Sequence, residues 1–336
     1  MIDNEILNNQ ISSVLEKGIS DGNIKNLTSA DINLIAQIAS NFKLSPKTDN
    51  NAEMIFVAAP TGAGKDTLVR KLTSQNPDKN YVVLNMDMFR HYYKNISKQV
   101  NEITDKDFAK KTNDISYEIY YLIEELILNY YQGTNVILTG TMKDTPWIES
   151  ILKKYKNNKY DVNLSVLTVP YQESAFSIFE RYLNIVETQL HAKTKDDSII
   201  RYTDLKYHDE TFTNFSKNLE YFENYKELIS SISVYRRDKS IHDLSEDTLI
   251  FSSTAPSNFK EPTATATAKS ILNSTNIISA ERFSKLLELV ERNADYLKEQ
   301  GLYNEIGKSL TFIHSLDNKP FSEVSKAKED IGFDYE

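Results

Sequence analysis

The fold is decided by the stretch Met54-Ile-Phe-Val-Ala-Ala-Pro60-Thr-Gly-Ala-Gly-Lys65-Asp-Thr-Leu-Val-Arg-Lys-Leu72. Its first five residues are apolar and predict a buried strand, and a glycine-containing turn follows. Leu68, Val69 and Leu72 then recur at helical spacing. In a strand, loop and helix of this order, backbone N–H groups of the loop and of the helix N-terminus converge on an anion, and Lys65 adds a positive charge. The stretch therefore predicts a phosphate-binding loop.

This loop departs from the pattern G-x-x-x-x-G-K-[ST] at two positions. Ala59 occupies the first glycine position, and Asp66 occupies the position of a hydroxyl that would bind Mg²⁺. Because Mg²⁺ accepts hard oxygen ligands, Asp66 could serve the metal directly or through water, or Thr67 could assist. The alternative is an ordinary strand-to-helix turn without a ligand. We predict that the nucleotide-binding residues are Thr61, Gly62, Ala63, Gly64, Lys65, Asp66 and Thr67, with Asp66 as the metal ligand.

Composition indicates a soluble globular protein. The 336 residues are 40% hydrophobic and 26% charged, with no cysteine. No apolar run reaches the roughly 18 residues of a membrane span. Residues 1–5 lack the basic and apolar regions of a signal peptide. We therefore expect a cytoplasmic protein without membrane association, disulfides or thiolate metal sites.

The net charge of −9 argues against sequence-independent binding to nucleic acid, which requires a surplus of Lys and Arg facing phosphates. A nucleic-acid partner is therefore not expected. A local basic pocket for a small phosphorylated substrate remains compatible with this charge.

Apolar strand patterns alternate with helical patterns along the middle of the chain. The predicted strands are residues 54–58, 81–85, 135–139, 163–169 and 232–235. The predicted helices between and beside them are residues 107–132, 146–156, 172–190 and 211–231. Alternation at this spacing predicts an α/β fold, a parallel sheet with helices on both faces.

The chain divides into four predicted segments. Residues 1–50 form an N-terminal helical segment, and residues 51–252 form the α/β domain. Residues 253–275 are rich in Ser, Thr, Ala and Pro and are predicted to be a linker. Residues 276–336 form a C-terminal helical segment.

A carboxylate follows the second predicted strand, in Asn85-Met-Asp87-Met-Phe-Arg90. Ligands of open α/β sheets bind at the carboxyl ends of the strands. Asp87 is therefore a candidate for the base that accepts the proton of an acceptor hydroxyl. The alternative role for Asp87 is a helix N-cap.

Several stretches in the same order resemble the zeta toxins, P-loop kinases of bacterial toxin–antitoxin systems. They are the loop 59–67, the segment 81–90, Val136-Ile-Leu-Thr-Gly-Thr141, Lys159-Tyr-Asp-Val162 through Val169-Pro170, Ile178-Phe-Glu-Arg-Tyr182 and Val234-Tyr-Arg-Arg-Asp238. Together they span roughly residues 54–245. The resemblance implies a P-loop kinase-like fold.

It further implies that ATP or GTP with Mg²⁺ phosphorylates a nucleotide sugar, UDP-N-acetylglucosamine, on its 3′-hydroxyl, and that an antitoxin protein is a partner. Lys65 would contact the β- and γ-phosphates and Asp87 would be the base. Arg181 would neutralise charge on the transferring phosphoryl group. By the same resemblance, the substrate-binding residues would be Arg90, Thr139, Thr141 and Lys143.

Three positions depart from the family pattern. Thr139 replaces a glutamate, Lys143 replaces an arginine and loses its bidentate fork, and His191 stands where a second arginine is expected. Lys193, Lys195 or Arg201 could substitute for that arginine. These changes keep two alternatives open. One is a kinase of another small nucleotide, such as NAD, or of a nucleic-acid end, and the other is a nucleotide-binding interaction module without catalysis.

Overall fold

The computed structural model describes residues 4–47, 51–90, 104–191, 200–225, 227–237, 249–254, 263–331 and 333. Its strands are β1 (Glu53–Ala58), β2 (Val82–Leu84), β3 (Val136–Gly140), β4 (Asp161–Thr168), β5 (Ser231–Arg236) and β6 (Leu249–Thr254). Its helices are α1 (Asn4–Ser20), α2 (Ile32–Ser40), α3 (Lys65–Gln75), α4 (Asp105–Lys111), α5 (Asn113–Tyr130), α6 (Thr145–Asn157), α7 (Tyr171–His191), α8 (Leu205–Asn224), α9 (Ala264–Leu272), α10 (Ala280–Arg292), α11 (Ala294–Glu299), α12 (Tyr303–Ser315) and α13 (Val324–Ile331).

The strands form one sheet in the order β2-β3-β1-β4-β5-β6. The first five strands are parallel, and β6 pairs antiparallel with β5. The predicted α/β fold with its parallel sheet is confirmed. The edge strand β6 was not predicted, because only the first half of Leu249–Thr254 is apolar.

Strand β1 is central and is buried on both faces. Met54 and Phe56 belong to a large core, whereas Ile55 and Val57 belong to a smaller core beneath α3, as the alternation of side chains along a strand requires. This double burial explains the unbroken apolar run before the loop. The loop after β1 therefore starts from a fixed position at the carboxyl edge of the sheet.

Two of the predicted helices begin or end at other residues in the structure. The predicted helix 107–132 is divided at Thr112 into α4 and α5, and the Thr112 hydroxyl donates to the Phe108 carbonyl over 2.7 Å. The predicted helix 211–231 runs instead over Leu205–Asn224. It begins earlier because Asp204 caps it, accepting a hydrogen bond from the Tyr207 N–H over 2.6 Å.

Residues 264–272, within the predicted linker 253–275, form the helix α9, so the linker prediction is wrong for them. Ala264, Ala268 and Leu272 are buried in the core. Small Ala and Thr side chains suggested a flexible segment, yet they also allow a helix to pack closely against its neighbours.

Both terminal segments contribute to the large core. Leu7 of α1 and Leu310 of α12 belong to the same cluster as Phe56. In addition, the Glu118 carboxylate of α5 accepts backbone N–H bonds from residues 25–27. Among the described residues, no helix is long and apolar enough to cross a membrane.

Candidate active site

The phosphate-binding loop depends on two glycines in the left-handed region. Gly62 and Gly64 have φ of 80° and 95°, a conformation that glycine adopts without strain. A Cβ on Gly62 would also lie 2.2 Å from the Ser174 carbonyl oxygen at the start of α7. Ala59 does not have a positive φ, which explains why alanine is accepted at the first glycine position.

Lys65 begins α3 and turns back into the loop, where its ammonium donates to the Ala59 carbonyl over 3.2 Å. Burial lowers the pKa of Lys65 to about 8, while Asp66 and Asp87 act to raise it and Arg181 and Arg201 lower it further. The Lys65 ammonium thus interacts electrostatically with both carboxylates and both guanidinium groups.

Asp87 lies between two arginines. Its Oδ1 accepts from the Arg201 Nη1 and, over 3.2 Å, from the Arg90 Nε. Partial removal from water acts to raise the pKa of Asp87, but Arg201, Arg90 and Arg181 outweigh it and hold the pKa at about 2. The carboxylate is therefore ionised, and with 47% of the side chain exposed it can be reached from solvent.

Arg90 was predicted to contact the substrate, whereas in the structure its side chain is buried and contacts Asp87. Its Nη1 donates to the Ala109 carbonyl over 2.7 Å and to the Thr112 hydroxyl over 2.6 Å. Arg90 thus ties Asp87 to the junction of α4 and α5. We infer a positioning role for it.

Arg181 and Arg201 bring two positive charges to the loop. Burial and the neighbouring Arg201 lower the pKa of Arg181, and Asp87 and Asp66 oppose this. Both side chains are partly buried, and two neighbouring guanidinium groups favour an anion between them. His191 instead contacts Asn293 over 3.3 Å, and Lys193 and Lys195 lie outside the described residues. Arg201 was only one of three predicted substitutes for the second arginine.

The loop after β3 lies at the same carboxyl edge of the sheet as the glycine loop. Thr139 lies beside Val57 in the sheet, and Thr141 follows the end of β3 and is partly buried. The Lys143 ammonium pairs with Glu210 over 2.5 Å and lies 4.6 Å from the centre of the Tyr207 ring. Lys143 is thus joined to α8 near the carboxyl end of β3.

Sequence reasoning missed two residues that support the loop. Arg237 donates to the Gly62 carbonyl over 2.9 Å, and the buried Thr61 hydroxyl lies 3.3 Å from that of Thr211. Arg237 follows the carboxyl end of β5, so its place at the sheet edge was a usable signal. Thr211 carries no comparable signal, because a threonine within a helix is common.

The oxygen ligands near the loop fit magnesium that arrives with a nucleotide. Asp66 lies in the first turn of α3, and both Asp66 and Asp87 interact electrostatically with Lys65 and Arg181. The described residues contain no cluster of three or more His, Cys, Asp or Glu side chains suited to a metal. Nucleotide-bound Mg²⁺ typically uses one or two carboxylates, phosphate oxygens and waters.

A parallel sheet of order β2-β3-β1-β4-β5, with a glycine loop after β1 and a lysine at the start of the next helix, defines a P-loop kinase-like protein. The zeta toxin family model matches residues 36–248, more than half of the chain. The chain belongs to the zeta toxin family, whose members are kinases. The predicted family resemblance is confirmed.

The chain is also similar to solved structures. One, from a study of the PezAT chromosomal toxin–antitoxin system of Streptococcus pneumoniae, has 18% sequence identity and a TM-score of 0.56, covering 82% of this chain and 100% of that chain. The AvrRxo1-ORF1:AvrRxo1-ORF2 complex with sulphate ions has 12% identity and a TM-score of 0.46, covering 96% and 87% of the two chains. A comparison with curated proteins found no significant match.

Proposed function

We propose that this protein is a toxin kinase that transfers the γ-phosphate of ATP or GTP to a hydroxyl of a small nucleotide, with UDP-N-acetylglucosamine as the first candidate. The proposal rests mainly on one observation. Lys65 of the glycine loop interacts electrostatically with Asp87, Arg181 and Arg201, and Arg201 pairs with Asp87. These four residues supply a phosphate-binding cation, a carboxylate base and two charges for the transferring group.

The donor nucleotide would bind in the loop. Backbone N–H groups at the start of α3 and the Lys65 ammonium suit the β- and γ-phosphates. Asp66, in the first turn of α3, would hold Mg²⁺ directly or through water. Bound magnesium would neutralise part of the phosphate charge.

The acceptor hydroxyl would bind at Asp87. In the structure Arg201 pairs with this carboxylate, and donor phosphates would compete for the same guanidinium. Transfer of Arg201 to the phosphates would free Asp87 to accept the hydroxyl proton. Arg181 and Arg201 would then stabilise the negative charge on the transferring phosphoryl group.

The test is a kinase assay with ATP, Mg²⁺ and UDP-N-acetylglucosamine, read by mass spectrometry. We expect a singly phosphorylated sugar nucleotide, and a loss of about 10²–10⁴-fold in rate for Asp87→Asn. Asp78→Asn removes an exposed carboxylate in the turn before β2 and should keep full activity. Absence of product, with nucleotide still bound, would exclude this acceptor.

A different acceptor is the second candidate, because Thr139 is uncharged and Lys143 is paired with Glu210. A screen of metabolite extracts, including NAD and nucleic-acid ends, distinguishes the acceptors. Tight ATP binding without turnover on any acceptor would instead indicate a non-catalytic nucleotide-binding module.

An antitoxin protein is the proposed partner, and the cytoplasm is the proposed site of action. Expression should arrest bacterial growth, and Asp87→Asn should relieve the arrest. If the wild type and Asp87→Asn were equally harmless, the toxin proposal would be contradicted.

A further inference from the structure

Arg237 connects the end of β5 to the phosphate-binding loop. The side chain is buried, and its Nη1 donates to the Gly62 carbonyl over 2.9 Å. Its Nη2 donates to the Glu173 carboxylate over 2.7 Å and to the Ser177 hydroxyl over 3.0 Å. The Arg237 N–H also donates to the Thr168 carbonyl. The guanidinium therefore contacts the loop from a fixed backbone.

Glu173, in the first turn of α7, lies between two arginines. Arg282 of α10 donates from Nη1 to both of its carboxylate oxygens, over 2.9 Å each. Asn276 adds a further bond over 3.0 Å. Arg282 also pairs with Glu180 over 2.6 Å. Thus two residues of the C-terminal segment hold the carboxylate that orients Arg237.

The hydrogen bond from Arg237 to the Gly62 carbonyl affects how the loop presents its N–H groups to an anion. In an anion-binding loop the N–H groups point toward the phosphates. The carbonyl groups then point away from the phosphates and need hydrogen-bond donors on that opposite side. A buried carbonyl without a donor is costly. Arg237 supplies that donor at the left-handed residue Gly62, which also lies against Ser174.

We propose that Arg237 is a positioning residue for the donor nucleotide, and that Glu173 and Arg282 hold its guanidinium on the Gly62 carbonyl. Nucleotide affinity then depends on α10, a helix that follows the α/β domain in the chain. The inference rests on the proposed role of the loop as the donor site.

The test compares Arg282→Gln with Arg292→Gln by calorimetric titration of ATP with Mg²⁺. Both arginines lie on α10 and pair with α7, but Arg292 pairs with Glu187, away from Glu173. Both changes remove one positive charge. We expect Arg282→Gln to weaken ATP binding by about tenfold, the effect of one lost charged hydrogen bond, and Arg292→Gln to leave it unchanged.

Arg237→Lys keeps the charge but cannot span Gly62 and Glu173 with a planar fork, and it should also weaken ATP binding. In the kinase assay Arg282→Gln and Arg237→Lys should each raise KM for ATP and leave kcat near the wild-type value. Such a result indicates the loss of binding energy that the ground state and the transition state share. Wild-type ATP affinity in both Arg282→Gln and Arg237→Lys would overturn the proposal.

Hydrogen exchange of residues 59–65 without nucleotide separates this inference from the proposed function. Arg282→Gln should accelerate exchange of the loop amides relative to Arg292→Gln, while exchange in α5 stays unchanged. If the wild type bound no nucleotide, the proposed function would fail, yet the exchange result would still decide whether Arg282 positions the loop. Equal loop exchange in the two variants would refute the positioning role.

Discussion

Lys65 carries the clearest pH-dependent property of the site. Its pKa is lowered from 10.5 to about 8, chiefly by burial. The folded protein therefore binds fewer protons than the unfolded chain between about pH 8 and 10.5. Through this group alone, the free energy of unfolding rises with pH across that window. Phosphates beside the ammonium would favour its charged form and raise its pKa.

We expect ATP binding to weaken as the pH rises through 8, and binding at pH 8.5 to take up a proton at Lys65. Calorimetry in two buffers of different ionisation enthalpy measures that uptake. Lys65→Arg stays charged at this pH and is the control. Equal proton uptake by the wild type and Lys65→Arg would contradict the assignment to Lys65.

Single residues were predictable where the backbone alone places them. Lys65 follows a glycine loop and Asp87 follows a strand, so local patterns predicted where both lie in the fold. The position of Arg90 was not predictable, because its partners Ala109 and Thr112 come from α4 and α5. Arg201 was ambiguous for the same reason, since its contact with Asp87 joins distant segments.

The N-terminus of helix α9 depends on a side chain of helix α8. The first N–H groups of α9, those of Ala264 and Thr265, donate to the buried Glu223 carboxylate of α8 over 2.7 and 3.1 Å. A carboxylate at a helix N-terminus satisfies free donors and interacts favourably with the helix dipole. The composition around α9 suggested a linker. The helix was missed because the Glu223 carboxylate that stabilises it lies about 40 residues earlier in the chain.

Glu223→Gln should lower the free energy of unfolding by about 1–2 kcal/mol, since charged hydrogen bonds become neutral ones. Urea denaturation measures the change. Glu220→Gln is the matched control, because Glu220 joins the same two helices through an exposed pair with Lys269 over 2.9 Å. We expect about 0.5 kcal/mol or less for it. Similar losses in both variants would show that the α9 N-terminus does not depend on Glu223.

At the scale of the whole molecule, the terminal helices and the sheet share one core. Leu7, Phe56 and Leu310 belong to the same cluster. The sequence predicted helices at both ends, but the amphipathic pattern of a helix does not tell which surface it covers. The division into an α/β domain and two terminal segments therefore describes the order of the chain better than its packing.

We predict that the chain unfolds in one transition. Trp147 is the single tryptophan and its ring lies 6.5 Å from that of Phe56, so its fluorescence reports the sheet, whereas far-UV circular dichroism reports all helices. The two midpoints in urea should coincide. A separate, earlier loss of helical signal would show that the terminal helices unfold independently.

The same experiment has a matched pair in α1. Leu7 is 1% exposed and Ile6 is 54% exposed. Leu7→Ala should shift both midpoints together, with a loss of about 2–5 kcal/mol, and Ile6→Ala should shift neither. A Leu7→Ala shift confined to the circular dichroism signal would contradict a shared core.

The close contact between Gly62 and the Ser174 carbonyl has a consequence for how related sequences can diverge. Arg181 lies seven residues after Ser174 on α7, about two helical turns, so both residues face the loop. Inserting or deleting one residue between them would rotate Arg181 by about 100° around the helix axis and remove it from the loop. Active relatives should therefore keep the number of residues in this interval, which makes its length a guide to alignment.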